Sequence, residues 1–280
     1  MTARRSLPKL VIFGDPVKGP VAEAIEGFSE FLKDKAEIVA SCYLEKCTID
    51  VLGRSDFAVV FGGDGSIISA ARDLSQANVP VIGVNLGKLG FLAEFSVSEL
   101  KELFDSVVSG QAPIEKRMLL GCSVFESSAQ GPEVFSSTAV NEVFITAGPP
   151  YRMIELKIAV DGQHVASCVS DGLIISTPTG STAYNLSSGG PILAGAMEAM
   201  VITPICPHSL SFRPIVIDAG SVVDVSCTRV NEGTTVSVDG QVSRLQDDRR
   251  SAQRSDSLFK LRKERHFPIV HAVCTDVGPS

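Results

Sequence analysis

Two periods of apolar residues succeed one another along the first third of the chain. The runs KLVIFGD (9–15) and FAVVF (57–61) are continuously apolar and close on glycine, and PVIGVNLG (80–87) repeats the pattern. Runs of this length without polar alternation are the mark of strands buried on both faces. Between the first two, Val21, Ala24, Ile25, Phe28, Phe31 and Leu32 recur at helical spacing. A second helix is predicted from about Ser66. In SVSELKELFDSVVSG, Ser96 and Glu99 stand at capping-box spacing, Leu100, Leu103, Phe104 and Val107 share one face, and Gly110 ends the pattern. Strand and helix in alternation predict a parallel sheet with helices on both sides, a Rossmann-like α/β domain.

After about residue 112 the texture changes. LLGCSVFE, STAVNEVFITAG, IELKIAVDGQHVAS, GLIISTPTG, RPIVIDAG, SVVDVSC and TTVSVDGQVSRL are short β-rich segments separated by turn signals, the pattern of an antiparallel sandwich or barrel. One exception is 183–200, where Ile192, Leu193, Ala196 and Met200 suggest a short helix. The tetrapeptide VDGQ occurs at 160–163 and again at 238–241, and Asp-Gly between alternating residues predicts hairpin turns. We expect two domains: an α/β domain over 1–112, joined by the C-terminal tail 265–280, and a mainly β, sandwich-like domain over 113–264.

Composition narrows the function classes. With 280 residues, 44% of them hydrophobic, the chain has material for substantial cores. A net charge of -7 argues against partners that present a nucleic-acid backbone or an anionic membrane. The basic cluster Arg249, Arg250, Arg254, Arg262, Lys263 and Arg265 is interleaved with Asp247, Asp248, Asp256 and Glu264, which reads as a solvated face. Seven scattered cysteines with no CxxC pair suit reduced thiols rather than a disulfide framework or a zinc site. The N-terminal apolar segment is too short for a signal peptide, and no run approaches the ~20 apolar residues of a membrane span. We expect a cytoplasmic protein.

Two stretches carry candidate chemistry. At the end of a buried strand, Gly62, Gly63, Asp64 and Gly65 form a loop whose bare backbone allows phosphate oxygens to approach, and the helix from Ser66 turns its positive end toward the same anion. Asp64 there either accepts a proton from an attacking hydroxyl, holds a magnesium ion, or simply caps the helix. In SDGLIISTPTGSTAYNLSSGG (170–190), Thr179, Ser181, Thr182, Ser187 and their neighbours crowd around Gly180, with Tyr184 offering a ring. Hydroxyls and exposed backbone suit phosphate and sugar oxygens, and the ring suits a base. Asn141 and Glu142, adjacent polar residues in STAVNEVFI, break strand alternation, so either a bulge exposes both or one bonds a ligand.

Taken together, GGDG (62–65), GVNLGKLGFLAEF (83–95), NE (141–142), DGLIISTPTGSTAYNLSSGGPI (171–192), PICPHSLSFRPIVI (204–217) and SVDGQ (237–241) resemble, in order, the NAD kinase family. The resemblance implies transfer of the γ-phosphoryl of ATP to the 2′-hydroxyl of the adenosine ribose of NAD, with a divalent metal, magnesium, accompanying ATP. It implies Asp64 as proton acceptor, with Gly62, Gly63, Gly65, Ser66, Thr179, Gly180 and Ser181 toward the phosphate donor. Gly65 and Phe91 would also lie against NAD. Asn141 and Glu142 would hold the nicotinamide-side ribose, with Asp171 at the nicotinamide end. Thr182, Ala183, Tyr184, Asn185 and Ser187 would line the adenosine pocket, and Gln241 and the basic Arg152 complete the NAD-binding set. Metal ligands are not identified. A homodimer or homotetramer is implied, with NAD as substrate. Val169 stands where many bacterial relatives carry Lys or Arg, and Phe212 replaces a small residue. The competing readings are a lipid kinase of the diacylglycerol or sphingosine type, which shares GGDG, and a non-catalytic dinucleotide-binding regulator.

Overall fold

The computed structural model describes residues 6–42, 48–87, 90–125, 131–209, 212–231, 233–240 and 257–271. The chain divides into two compact units, one of residues 1–116 with 266–280 and the other of residues 117–265. In chain order the first holds β1 (Lys9–Phe13), α1 (Gly19–Leu32), β2 (Glu37–Cys42), α2 (Ile49–Leu52), β3 (Phe57–Phe61), α3 (Asp64–Ala77), β4 (Val81–Val84) and α4 (Val97–Val108). β5 (Ile114–Phe125) leads into the second unit, which continues with β6 (Glu133–Ala139), β7 (Glu142–Thr146), β8 (Ile154–Val160), β9 (Gln163–Ser170) and β10 (Gly172–Ser176). A 3₁₀ turn at Thr179–Thr182 and α5 (Tyr184–Ser187) follow, then β11 (Ala199–Ile205), β12 (Ile215–Asp218), β13 (Val222–Arg229) and β14 (Thr235–Val238). β15 (Leu258–Val270) returns to the first unit.

The first unit is the expected parallel sheet, in the order β2-β1-β3-β4, with the end of β15 beside β4 through Ile269 and Val81. Its helices take both faces. Leu10, Ile12, Val59, Phe61, Ile82 and Val84 pack with Phe28 of α1 and Phe104 of α4. The alternate residue Gly83 faces Ile67 of α3 so closely that a Cβ there would meet its Cδ1 at 2.5 Å. The capping box of α4 forms as its sequence predicts: Ser96 Oγ accepts from the Glu99 amide, and the Glu99 carboxylate accepts from the Ser96 amide. Those bonds hold the Glu99 carboxyl below its ordinary range.

The second unit is a sandwich. One antiparallel sheet runs β12-β11-β10-β7-β14; β15, β13, β8 and β9 pair antiparallel in that order, and β5 pairs with β6. Side chains of both sheets meet in one core that includes Leu120, Val143, Ile158, Leu173, Ile202, Val225 and Leu261. Cys122, Cys168 and Cys227 are buried free thiols, Cys122 and Cys227 pushed up to about 12 chiefly by desolvation. The tetrapeptide at 160–163 makes the β8–β9 hairpin with Asp161 at φ 52° and Gly162 at φ 77°.

The short helix suggested by Ile192, Leu193, Ala196 and Met200 is not there. Only Tyr184–Ser187 is helical, and residues 199–205 are a strand instead. Gly189, Gly190 and Pro191 interrupt the apolar spacing with two residues of low helix propensity and one that cannot donate to the helix. β2 is a further strand between α1 and β3. Of the basic cluster, Arg262, Lys263 and Arg265 lie on β15, while Arg249, Arg250 and Arg254 fall outside the described residues. Among the described residues no helix is long and apolar enough to cross a membrane.

Phe28 has no exposed surface, and its ring centroid lies 5.8, 5.6 and 6.1 Å from those of Phe31, Phe61 and Phe104. Phe28→Ala is expected to destabilise the protein by about 3–5 kcal/mol, read as a lowered urea midpoint.

Candidate functional site

The residues singled out by the sequence fall into two sets, one in each unit. In the first unit β3 is buried along most of its length, and its chain emerges through Gly62 and Gly63, the residue before α3. Asp64 opens the helix, yet its carboxylate does not cap it. It accepts hydrogen bonds from three successive amides of the segment after β4: Phe91 to Oδ2 at 2.9 Å, and Leu92 and Ala93 to Oδ1 at 2.9 and 3.1 Å. The helix-cap reading of Asp64 is therefore corrected. Gly90 makes the approach possible, since a Cβ there would sit 2.2 Å from Asp64 Oδ1. The Phe91 ring next to this grip is 70% exposed, and Gly65 and Ser66 continue the first turn of α3.

The second unit repeats the device. The amides of Val140, Asn141 and Glu142 all donate to the Asp239 carboxylate, at 3.0, 2.7 and 3.2 Å, and the Asp239 amide returns a bond to the Glu142 carbonyl at 2.9 Å. Asp239 belongs to the second VDGQ, where Asp239 and Gly240 have φ of 51° and 67°. The entry to β7 is thus tied down from one side. From the other, the Thr177 amide donates to the Asn141 carbonyl at 2.9 Å and Thr177 Oγ1 to the Val140 carbonyl at 2.6 Å. Gly180 rests against the same carbonyl, where a Cβ would come within 2.1 Å of the Asn141 oxygen.

Glu142 is 4% exposed, so neither residue pair nor bulge simply opens to solvent. Desolvation, with a smaller push from the Asp239 charge, raises its carboxyl to about 7 against a bond from the Tyr184 amide. Glu142 Oε2 and Thr179 Oγ1 are buried and have no hydrogen-bond partner among the described residues. Buried polar atoms left this way are normally satisfied by a ligand or water. The Tyr184 ring, 39% exposed, stands edge-on to Phe144 with centroids 5.3 Å apart.

Other members of the set build the turn itself. Asn185 is fully buried; its Nδ2 donates to the Ser181 and Pro191 carbonyls at 3.2 and 3.1 Å, and its Oδ1 accepts from Thr203 Oγ1 at 2.6 Å. Ser181 Oγ donates to the Pro178 carbonyl at 2.6 Å and accepts from the Leu193 amide at 3.0 Å. Thr182 and Ala183 are half-buried, whereas Ser187, Asp171 and Arg152 are exposed. Gln241 lies outside the described residues. Asp239, Phe144, Thr203 and Gly90 join these sets without having been singled out as site residues. Only Asp239 carries a local signal, the repeated VDGQ.

Comparison with known proteins covers stretches of both units. Residues 29–112 match the family model of the ATP-NAD kinase N-terminal domain and residues 140–262 that of the ATP-NAD kinase C-terminal domain. An NAD kinase of Geotalea daltonii is 36% identical, the match covering 94% of this chain and 97% of that protein. One of Chromohalobacter salexigens is 43% identical over 77% of this chain and 71% of its own. A crystal structure of yeast NADH kinase complexed with NADH superposes with a TM-score of 0.82 at 25% identity, covering 98% of this chain and 86% of that one.

The shifted carboxyl of Glu142 has a stability signature. In the unfolded chain it ionises near 4.5, in the fold near 7, so the folded state holds the extra proton between those values and stability falls as pH rises through them. Glu142→Gln is expected to be more stable than wild type above pH 7, with the advantage shrinking to nothing toward pH 4.5, measured as denaturation midpoints across pH.

Proposed function

Because the chain belongs to the NAD kinase family, we propose that it transfers the γ-phosphoryl group of ATP to the 2′-hydroxyl of the adenosine ribose of NAD, giving NADP and ADP. It is an enzyme that phosphorylates NAD, and family membership across both units sets the lipid-kinase and regulator readings aside.

The observation that carries the assignment of roles is the grip on Asp64. An ionised carboxylate offers about four lone-pair positions. Leu92 and Ala93 occupy Oδ1 and Phe91 takes one position on Oδ2, so Oδ2 keeps one with which to accept the proton of an attacking hydroxyl. Phosphoryl transfer asks the protein chiefly for placement and charge neutralisation, and an acceptor fixed by three amides supplies the first. Gly62, Gly63, Gly65 and Ser66, with the positive end of α3, receive the phosphate donor, and the unpartnered Thr179 hydroxyl with Gly180 and Ser181 assists.

The unpartnered Oε2 of Glu142 supports a bond from a ribose hydroxyl on the nicotinamide side, with Asn141 beside it. Tyr184, steadied by Phe144, stacks on adenine, and Thr182, Ala183 and Ser187 line that pocket while Asn185 braces it from within. Asp171 takes the nicotinamide end, Phe91 forms an apolar wall, and Gln241 and Arg152 complete the contacts. Magnesium would accompany ATP and neutralise charge on its phosphates. We place the enzyme in the cytoplasm as a homodimer or homotetramer.

The deciding experiment is a coupled assay for NADP with purified protein, NAD, ATP and magnesium. Asp64→Asn should keep NAD affinity and lower kcat by about 10²–10⁴-fold, the range of a positioned proton acceptor. Near-normal turnover in that variant would overturn the role of Asp64. Absence of NADP from the wild type, with NAD still bound, would overturn the reaction.

A further inference from the structure

The segment that holds Asp64 is irregular backbone, so what holds the segment matters. Phe95 joins it to β4 through its amide on the Gly83 carbonyl at 3.1 Å and its carbonyl on the Asn85 amide at 2.7 Å. Between this bridge and the three gripping amides stands Glu94. Its Oε1 lies 2.7 Å from His271 Nδ1. In the tautomer with its proton on Nδ1 the ring donates this bond to the Glu94 carboxylate. His271 itself is fixed: its amide donates to the Pro113 carbonyl at 3.0 Å, its Nε2 stands 3.1 Å from Glu115 Oε2, and its side chain is 18% exposed. The imidazole thus joins the segment after β4 to the end of β15, while its Nε2 lies beside Glu115 at the start of β5 without a hydrogen bond.

We propose that His271 is a positioning residue for the phosphoryl transfer, acting through Glu94 to hold the Phe91–Ala93 amides on the Asp64 carboxylate. The inference rests on the reaction proposed above. Its chemistry is specific to one ring nitrogen, because Nδ1 makes the bond to Glu94 while Nε2 faces Glu115. Asparagine can place an amide donor near the position of Nδ1, and glutamine near that of Nε2.

Four variants in the NADP assay, joined to hydrogen exchange of the 91–93 amides, test it. His271→Ala should lower kcat by about tenfold with KM for NAD unchanged. His271→Asn should restore most of that loss and His271→Gln should not. In the Asp64→Asn background His271→Ala should cost nothing further, since the group it positions is gone. Equal recovery by both amides, an undiminished kcat in His271→Ala, or the same loss in the Asp64→Asn background would each overturn the proposal. If His271→Ala fails to fold, Glu94→Ala tests the tether from its other end with the same expected loss. Should wild type make no NADP, the reaction falls, and exchange still decides the tether: faster exchange at 91–93 in His271→Ala, corrected in His271→Asn, supports it, and unchanged exchange overturns it.

Discussion

A carboxylate that accepts hydrogen bonds from three consecutive backbone amides is the fixed point of each unit. Charge-assisted bonds to main-chain donors are stronger than neutral ones, and three acting together fix both the side chain and the backbone that serves it. At Asp64 the grip turns a residue at the head of α3 toward the segment after β4. At Asp239 it closes the entry to β7, so that Glu142 is brought into a buried position that its charge alone would resist. Phe91, Leu92 and Ala93 at the first grip, and Val140 and Asn141 at the second, lie outside the strands, so their amides would otherwise have no ladder to satisfy them.

The two copies of VDGQ show how much a short sequence fixes and where it stops. Both make a turn with positive φ at Asp and Gly. In both, the Asp amide and carboxylate engage another strand: Asp161 exchanges bonds with Val222 at 2.9 and 2.8 Å, and Asp239 with the start of β7. The turn follows from the residues themselves, because Asp and Gly tolerate the left-handed region. The partner does not. Val222 builds an ordinary sheet joint, whereas Asn141 and Glu142 give the second copy its place among the candidate site residues.

Features whose cause is local were legible along the chain. The continuous apolar runs became buried strands, and Ser96 with Glu99 became a capping box, since both depend on neighbours a few positions away. The helical texture of the first third and the β texture of the rest are likewise local, and they correspond to an α/β unit and a sandwich. Over 183–200 the apolar spacing is helical, but Gly189, Gly190 and Pro191 break it. Least legible were contacts that depend on tertiary closure: Asp239 meets Asn141 across 98 positions, and His271 meets Glu94 across 177. No periodicity in the sequence encodes such pairs.

That last separation gives the first unit an unusual assembly order. Strands β1 to β4 and helices α1 to α4 are complete in the chain by residue 116, but the strand that pairs with the outer side of β4 is written only after the whole second unit. A growing chain therefore leaves the ribosome with an unprotected β4 edge, the kind of edge that invites pairing with the wrong strand. It stays so while about half of the protein is still being synthesised. His271, one residue beyond β15, arrives later still, so the glycine loop exists through most of translation without its brace.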